Sequence, residues 1–96
     1  MSYRLTRRAR QDLLNIWRYI AEDSPVAADR FIDLLTRHCR LLGDNPHAGR
    51  RRDELRSGYR SFPVGDHLIL YRIEQPGVQV MHVVHGRRDF SALFGS

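Results

Sequence analysis

The apolar residues of this chain change their period near residue 58, and that change constrains the fold more than any other feature. Before it they recur every three to four positions; after it they alternate. Ala9, Leu13, Ile16, Trp17 and Ile20 fall at i, i+4, i+7, i+8 and i+11, one face of a helix that Thr6 can N-cap. Ser24-Pro25 restarts the chain, with serine as the next N-cap and proline at the first helical position. Ala28, Phe31, Ile32, Leu35, Cys39 and Leu42 form a second stripe, and Gly43 and Pro46 mark its end. So short a connection predicts an antiparallel helical hairpin.

Residues 44–58 are polar, punctuated by Pro and Gly, and read as a loop with one turn of helix at most. Strands are predicted over Tyr59–Val64, His67–Glu74 and Val78–His85, separated by Gly65-Asp66 and Gln75-Pro76-Gly77. Tyr3-Arg4-Leu5 is a candidate edge strand. In the tail, Arg88 to Phe94, the spacing of Phe90, Leu93 and Phe94 suits one further helical turn. The expected fold is α+β: β-α-α-β-β-β, a helical hairpin on one face of a small, largely antiparallel twisted sheet, with a short helical tail. At 96 residues the chain, 1–96, has room for a single core.

Strand alternation then sorts the side chains. With a turn at Pro76-Gly77, Ile69, Tyr71 and Ile73 share the helix-facing side with Val80, His82 and Val84. The other side carries Leu68, Leu70, Arg72 and Glu74 with Met81, Val83 and His85, an apolar groove bearing arginine and histidine. His82 and His85 are three apart, so they point to opposite faces and cannot chelate one ion; His82 is expected to be a packed core histidine. No zinc spacing, glycine-rich phosphate loop or Ser-His-Asp context occurs, and neither a metal nor a cofactor is implied. Arg50-Arg51-Arg52-Asp53-Glu54 reads as a solvated loop whose acids offset two of its charges.

Composition narrows the chemistry. All sixteen basic residues are arginine, against eleven acids, for a formal charge of +5. Lysine-based catalysis is therefore excluded, and the guanidinium forks suit carboxylate, phosphate and aromatic partners. The single cysteine, Cys39, forms no internal disulfide and lies in an apolar stripe, which predicts a buried thiol and a reducing cytoplasm. The start of the chain has no apolar run of signal-peptide or membrane-span length. Tyr19 lies off the main helical stripe and is expected to be exposed.

Several segments together resemble toxins of the RelE/ParE superfamily. They are Tyr3 to Ile20 (YRLT..A..DL..IW.YI), Asn45-Pro46-His47-Ala48-Gly49-Arg50, Glu54 to Gly65 (ELRSGYRSFPVG), Ile69-Leu70-Tyr71-Arg72, and Val83 to Asp89 (VVHGRRD). The resemblance runs nearly end to end and favours the ParE branch. It implies the toxin of a type II toxin–antitoxin system, a bacterial stress-response module, acting by binding DNA gyrase without catalytic residues. It implies a ParD-like antitoxin with an acidic, amphipathic C-terminal segment, and DNA contact only through that antitoxin. Arg87, Arg88, Asp89, Phe90 and Phe94 are the candidate gyrase contacts. Tyr19, Arg60, Leu68, Leu70, Arg72, Met81 and His85 are the candidate antitoxin contacts. The RelE branch offers the alternative, a ribosome-dependent mRNA endonuclease with His85 as acid/base and Arg60, Arg72 and Arg87 on the phosphate. Against it, lysine is missing, His67 stands where that branch has a strand arginine, and Phe94 has no hydroxyl.

Overall fold

The computed structural model describes residues 2–90. Its elements are β1 (Tyr3–Leu5), α1 (Arg7–Ala21), α2 (Pro25–Asp44), β2 (Arg50–Arg51), β3 (Tyr59–Val64), β4 (His67–Glu74) and β5 (Gly77–His85). The strands form one mixed sheet in the order β1-β5-β4-β3-β2, with β1 parallel to β5 and the remaining pairs antiparallel. The helices lie against one face.

Both helices start where their caps predict. Thr6 Oγ1 accepts from the Ala9 amide at 3.0 Å, and Ser24 Oγ from the Ala27 amide at 3.1 Å ahead of Pro25. Trp17 Nε1 donates to Asp29 Oδ1 at 2.8 Å and ties α1 to α2. Gly43 proves to lie within the last turn of α2, which runs on to Asp44. Its role is close approach: Cβ atoms at Gly43 and Gly77 would run into the Ser2 backbone, which passes between them on its way into β1.

The core under the helices contains Ala9, Ile16, Leu35, Cys39 and Leu42 from the hairpin with Val64, Ile69, Tyr71, Val78, Val80 and Val83 from the sheet. Burial pushes the Cys39 thiol up to about 11, so at neutral pH it is a small hydrophobe. A second, smaller cluster on the far face holds Tyr59, Leu70 and Val84, with Leu55, Leu68, Met81 and Phe90 packed against it.

Three sequence expectations are corrected. The segment 44–58 contributes a fifth strand, since Arg50 and Arg51 pair with Ser61 and Arg60. Two residues are too few to show any periodicity. The faces of β5 also change midway. Tyr71 pairs with Val80 but Leu70 with His82, so Met81 is an extra, bulged residue. Beyond it Val83 and His85 turn to the helix side, while His82 and Val84 turn to the far side. His82 is thus half-buried beside the Tyr59 ring, 6.3 Å away, and is not a helix-side core residue. Of the predicted tail, Arg88, Asp89 and Phe90 are described; Leu93 and Phe94 lie outside the described residues.

The same short β1 explains a buried carboxylate. β1 covers β5 only as far as Val80, which exposes the edge of β5 beyond it. Thr6 Oγ1 donates to the Met81 carbonyl at 3.1 Å, and Asp12 Oδ2 accepts from the Val83 amide at 3.0 Å. The start of α1 thus supplies the hydrogen bonds that a longer β1 would have made.

Candidate functional site

At the end of the sheet where β4 starts and β5 stops, a cleft of about 590 Å³ opens beside α1. Its α1 wall includes Arg8, Asp12 and Tyr19, its floor Val83, and its rim His67, His85, Arg88 and Asp89. Cross-strand pairing sets His67 against His85, their rings 5.2 Å apart and nearly perpendicular. Phe31 packs on His67 from α2 at 5.1 Å. Burial holds the His67 ring below its ordinary value of 6.5, helped by the neighbouring His85 ring and the Arg88 guanidinium and opposed by Asp89 and Asp66.

His85 organises the turn that follows it. Its Nδ1 accepts from the amides of Arg87 at 3.3 Å and Arg88 at 3.1 Å, so the ring proton resides on Nε2. Its own amide donates to Asp89 Oδ2 at 3.1 Å, and the Asp89 amide donates back to the His85 carbonyl at 3.0 Å. This closed turn explains the local sequence His-Gly-Arg-Arg-Asp. It leaves Arg87 and Arg88 exposed, with the Arg88 guanidinium 5.0 Å above the Tyr19 ring. Tyr19 is 63% exposed, as its position off the stripe predicts. Phe90 then crosses to the far face, where the Arg52 guanidinium sits 5.3 Å over its ring.

The opposite end of the sheet is held by a latch. The buried Tyr71 hydroxyl donates to the Pro46 carbonyl and accepts from the Gly49 amide, both at 2.8 Å. Arg60 Nη1 donates to the Gly49 carbonyl at 2.8 Å. The Asn-Pro-His-Ala-Gly-Arg segment is therefore pinned to β3 and β4. Gly49 is required because a Cβ there would overlap the Tyr71 hydroxyl. In the arginine run, Arg51 pairs with Asp53 at 2.9 Å and Arg52 with Glu54 at 2.8 Å, so the acids do offset two charges, but Arg50 and Arg51 lie in β2 and Arg52 is mostly covered instead of solvated.

The candidate residues do not form one patch. Of the antitoxin set, Tyr19 and His85 line the cleft, and Arg60 belongs to the latch on the helix side. Leu68, Arg72 and Met81 lie on the far side. Leu70 is fully buried and offers a partner no surface. Arg87, Arg88, Asp89 and Phe90 are contiguous, while Phe94 lies outside the described residues. Asp12 was missed, although its position three after Ala9 and four before Ile16 already places a carboxylate on the buried helical face. Among the described residues, no group of three or more His, Cys, Asp or Glu could hold a metal ion, and no helix is long and apolar enough to cross a membrane.

Comparison with known proteins agrees with this architecture. The family model described as the ParE toxin of type II toxin–antitoxin system, parDE, matches residues 3–90. Toxin ParE1 of Caulobacter vibrioides is 34% identical over 95 residues, 97% of each chain. Toxin RelE3 of the same organism is 33% identical over 85 residues, 88% of this chain and 92% of the relative. A solved structure titled as a chromosomal ParDE TA system from P. aeruginosa shares the fold. Its TM-score is 0.73 at 22% identity, over 88% of this chain and 95% of that chain.

Proposed function

The chain belongs to the ParE toxin family of type II toxin–antitoxin systems, and from that premise we propose that it works by binding DNA gyrase, without nuclease chemistry. The observation that carries this reading is the distance of Arg60 and Arg72 from His85, which leaves Arg87 beside it but not the other two candidate arginines. Arg72 lies five residues along β4 from His67, the cross-strand partner of His85, a separation of about 17 Å. Arg60 sits opposite Tyr71, about 13 Å from the same point, with its guanidinium committed to Gly49. One phosphodiester cannot span these groups. His85 is also in the wrong state for a general base, because Nδ1 is engaged by two amides and Nε2 carries the proton.

In this reading the turn of Arg87, Arg88, Asp89 and Phe90, together with the candidate residue Phe94, meets gyrase in the bacterial cytoplasm. A ParD-like antitoxin covers the chain through an acidic, amphipathic C-terminal segment, and DNA is contacted through that antitoxin. Folding on binding lets such a segment span a large surface. Purified chain is expected to block supercoiling by gyrase, and unimpaired supercoiling at micromolar chain overturns the reading.

The RelE3 relative keeps the nuclease reading worth a direct test. Mapping of mRNA ends after induction is expected to show no cutting within ribosomal A-site codons. If cutting occurs and His85→Gln abolishes it, the endonuclease reading replaces the first.

A further inference from the structure

β4 runs on to Glu74, whereas its neighbour β3 begins at Tyr59, opposite Arg72. The overhang leaves a notch of about 270 Å³ at the end of the sheet remote from the histidine cleft. Ile73 lines it together with one arginine from each of three successive strands: Arg51 from β2, Arg60 from β3, whose Nη1 is bonded to the Gly49 carbonyl, and Arg72 from β4. The carboxylate at this notch is Asp53, so positive charge exceeds negative by two (three guanidiniums less one carboxylate).

Asp53 is a carboxylate already held at the edge of the notch. Arg51 Nε and Nη2 fork onto its Oδ2 at 3.2 and 2.9 Å, and the Gly58 amide donates to its Oδ1 at 2.9 Å. Gly58 has φ +82, and Arg72 Nε lies 3.8 Å from the place a Cβ would take there. The missing side chain thus leaves space beside the Arg72 guanidinium, while the Gly58 amide itself is taken by Asp53. A planar carboxylate is the anion that a forked guanidinium and a single amide match best.

We propose that this notch is a carboxylate-binding subsite that takes an acidic side chain of a peptide partner. The inference rests on the antitoxin reading above and names one contact within it. A nucleic-acid backbone fits less well. Asp53 repels a run of phosphates, and the aromatic residue at the notch, Tyr59, is 5% exposed and gives bases no stacking platform.

The test measures binding of a fluorescent Glu-rich synthetic peptide, its Gln-substituted twin and a single-stranded oligonucleotide. Each is titrated against the full chain and against R72Q and R51Q/R72Q. Partly exposed pairs contribute up to about fivefold each, so the double variant should lose roughly tenfold for the Glu peptide, with an unchanged melting temperature. The Gln twin should bind the full chain weakly and show no such loss. R72Q leaves the Arg51–Asp53 pair intact, so a loss there separates the notch from any disturbance of the loop. Equal affinity of the chain and both variants for the Glu peptide overturns the proposal. So does an oligonucleotide that binds more tightly than the peptide and loses affinity in the same variants. A parallel arm uses the small protein encoded in the neighbouring reading frame. If it fails to copurify with the unaltered chain, the antitoxin reading fails. If it copurifies and holds R51Q/R72Q equally tightly, the notch alone fails.

Discussion

The two faces of the sheet use the same strands but are closed in different ways. On one side a helical hairpin with its own apolar stripes seals Val64, Ile69, Tyr71, Val78, Val80 and Val83. On the other, a few side chains from a loop and the tail, Leu55 and Phe90 among them, shelter Tyr59, Leu70 and Val84. The first closure is continuous secondary structure; the second is a set of separate contacts. Burial energy should therefore concentrate on the helix side, while the far side tolerates change and keeps partly covered apolar groups near Arg52 and Arg72.

Leu35→Ala is expected to have the largest effect, a loss of about 3 kcal/mol, because Leu35 is completely buried between hairpin and sheet. Leu68→Ala on the far face should cost about 1 kcal/mol, since that side chain is only partly covered. Equal shifts in urea denaturation midpoints would erase the contrast between the faces.

Asp12→Ala should follow, at about 2 kcal/mol, since it leaves the Val83 amide without an acceptor at the covered edge of β5. Asp12→Asn should recover part of this, because an amide oxygen still accepts. Amide exchange at Val83, fast in the alanine variant and slow in the asparagine variant, reads the hydrogen bond directly. Arg52→Gln should cost less, about 1 kcal/mol, by removing a mostly covered guanidinium from the Phe90 ring. Its clearest sign should be a change in the Phe90 ring resonances.

Protonation is the gentlest lever. His67 and His82 both have folded values held below 6.5, in each case first by burial. The unfolded chain therefore takes up these protons first as the pH falls. The stabilising contribution is whole above the unfolded value of 6.5 and is lost as the pH falls towards the lower folded values. The melting temperature should decline on acidification through that window. His67→Asn should flatten the slope; an unchanged slope would remove His67 from the account.

Elements with local codes could be read directly from the residues. Helical stripes, the Thr6 and Ser24-Pro25 caps and the three long strands depend on residues within a few positions of one another, and they stand where the pattern puts them. The family was legible too, because its motifs keep their order along the chain. Tertiary structure alone decided the remainder. The bulge at Met81, which sends Val83 and His85 to one face and His82 and Val84 to the other, arises only when β4 and β5 pair. The strand at Arg50–Arg51, the latch on Tyr71 and the edge bond to Asp12 likewise join residues far apart in sequence. Periodicity reports which side chains share a face of their own element. Which element that face meets, and which amide lacks a partner there, is settled only when the chain closes on itself.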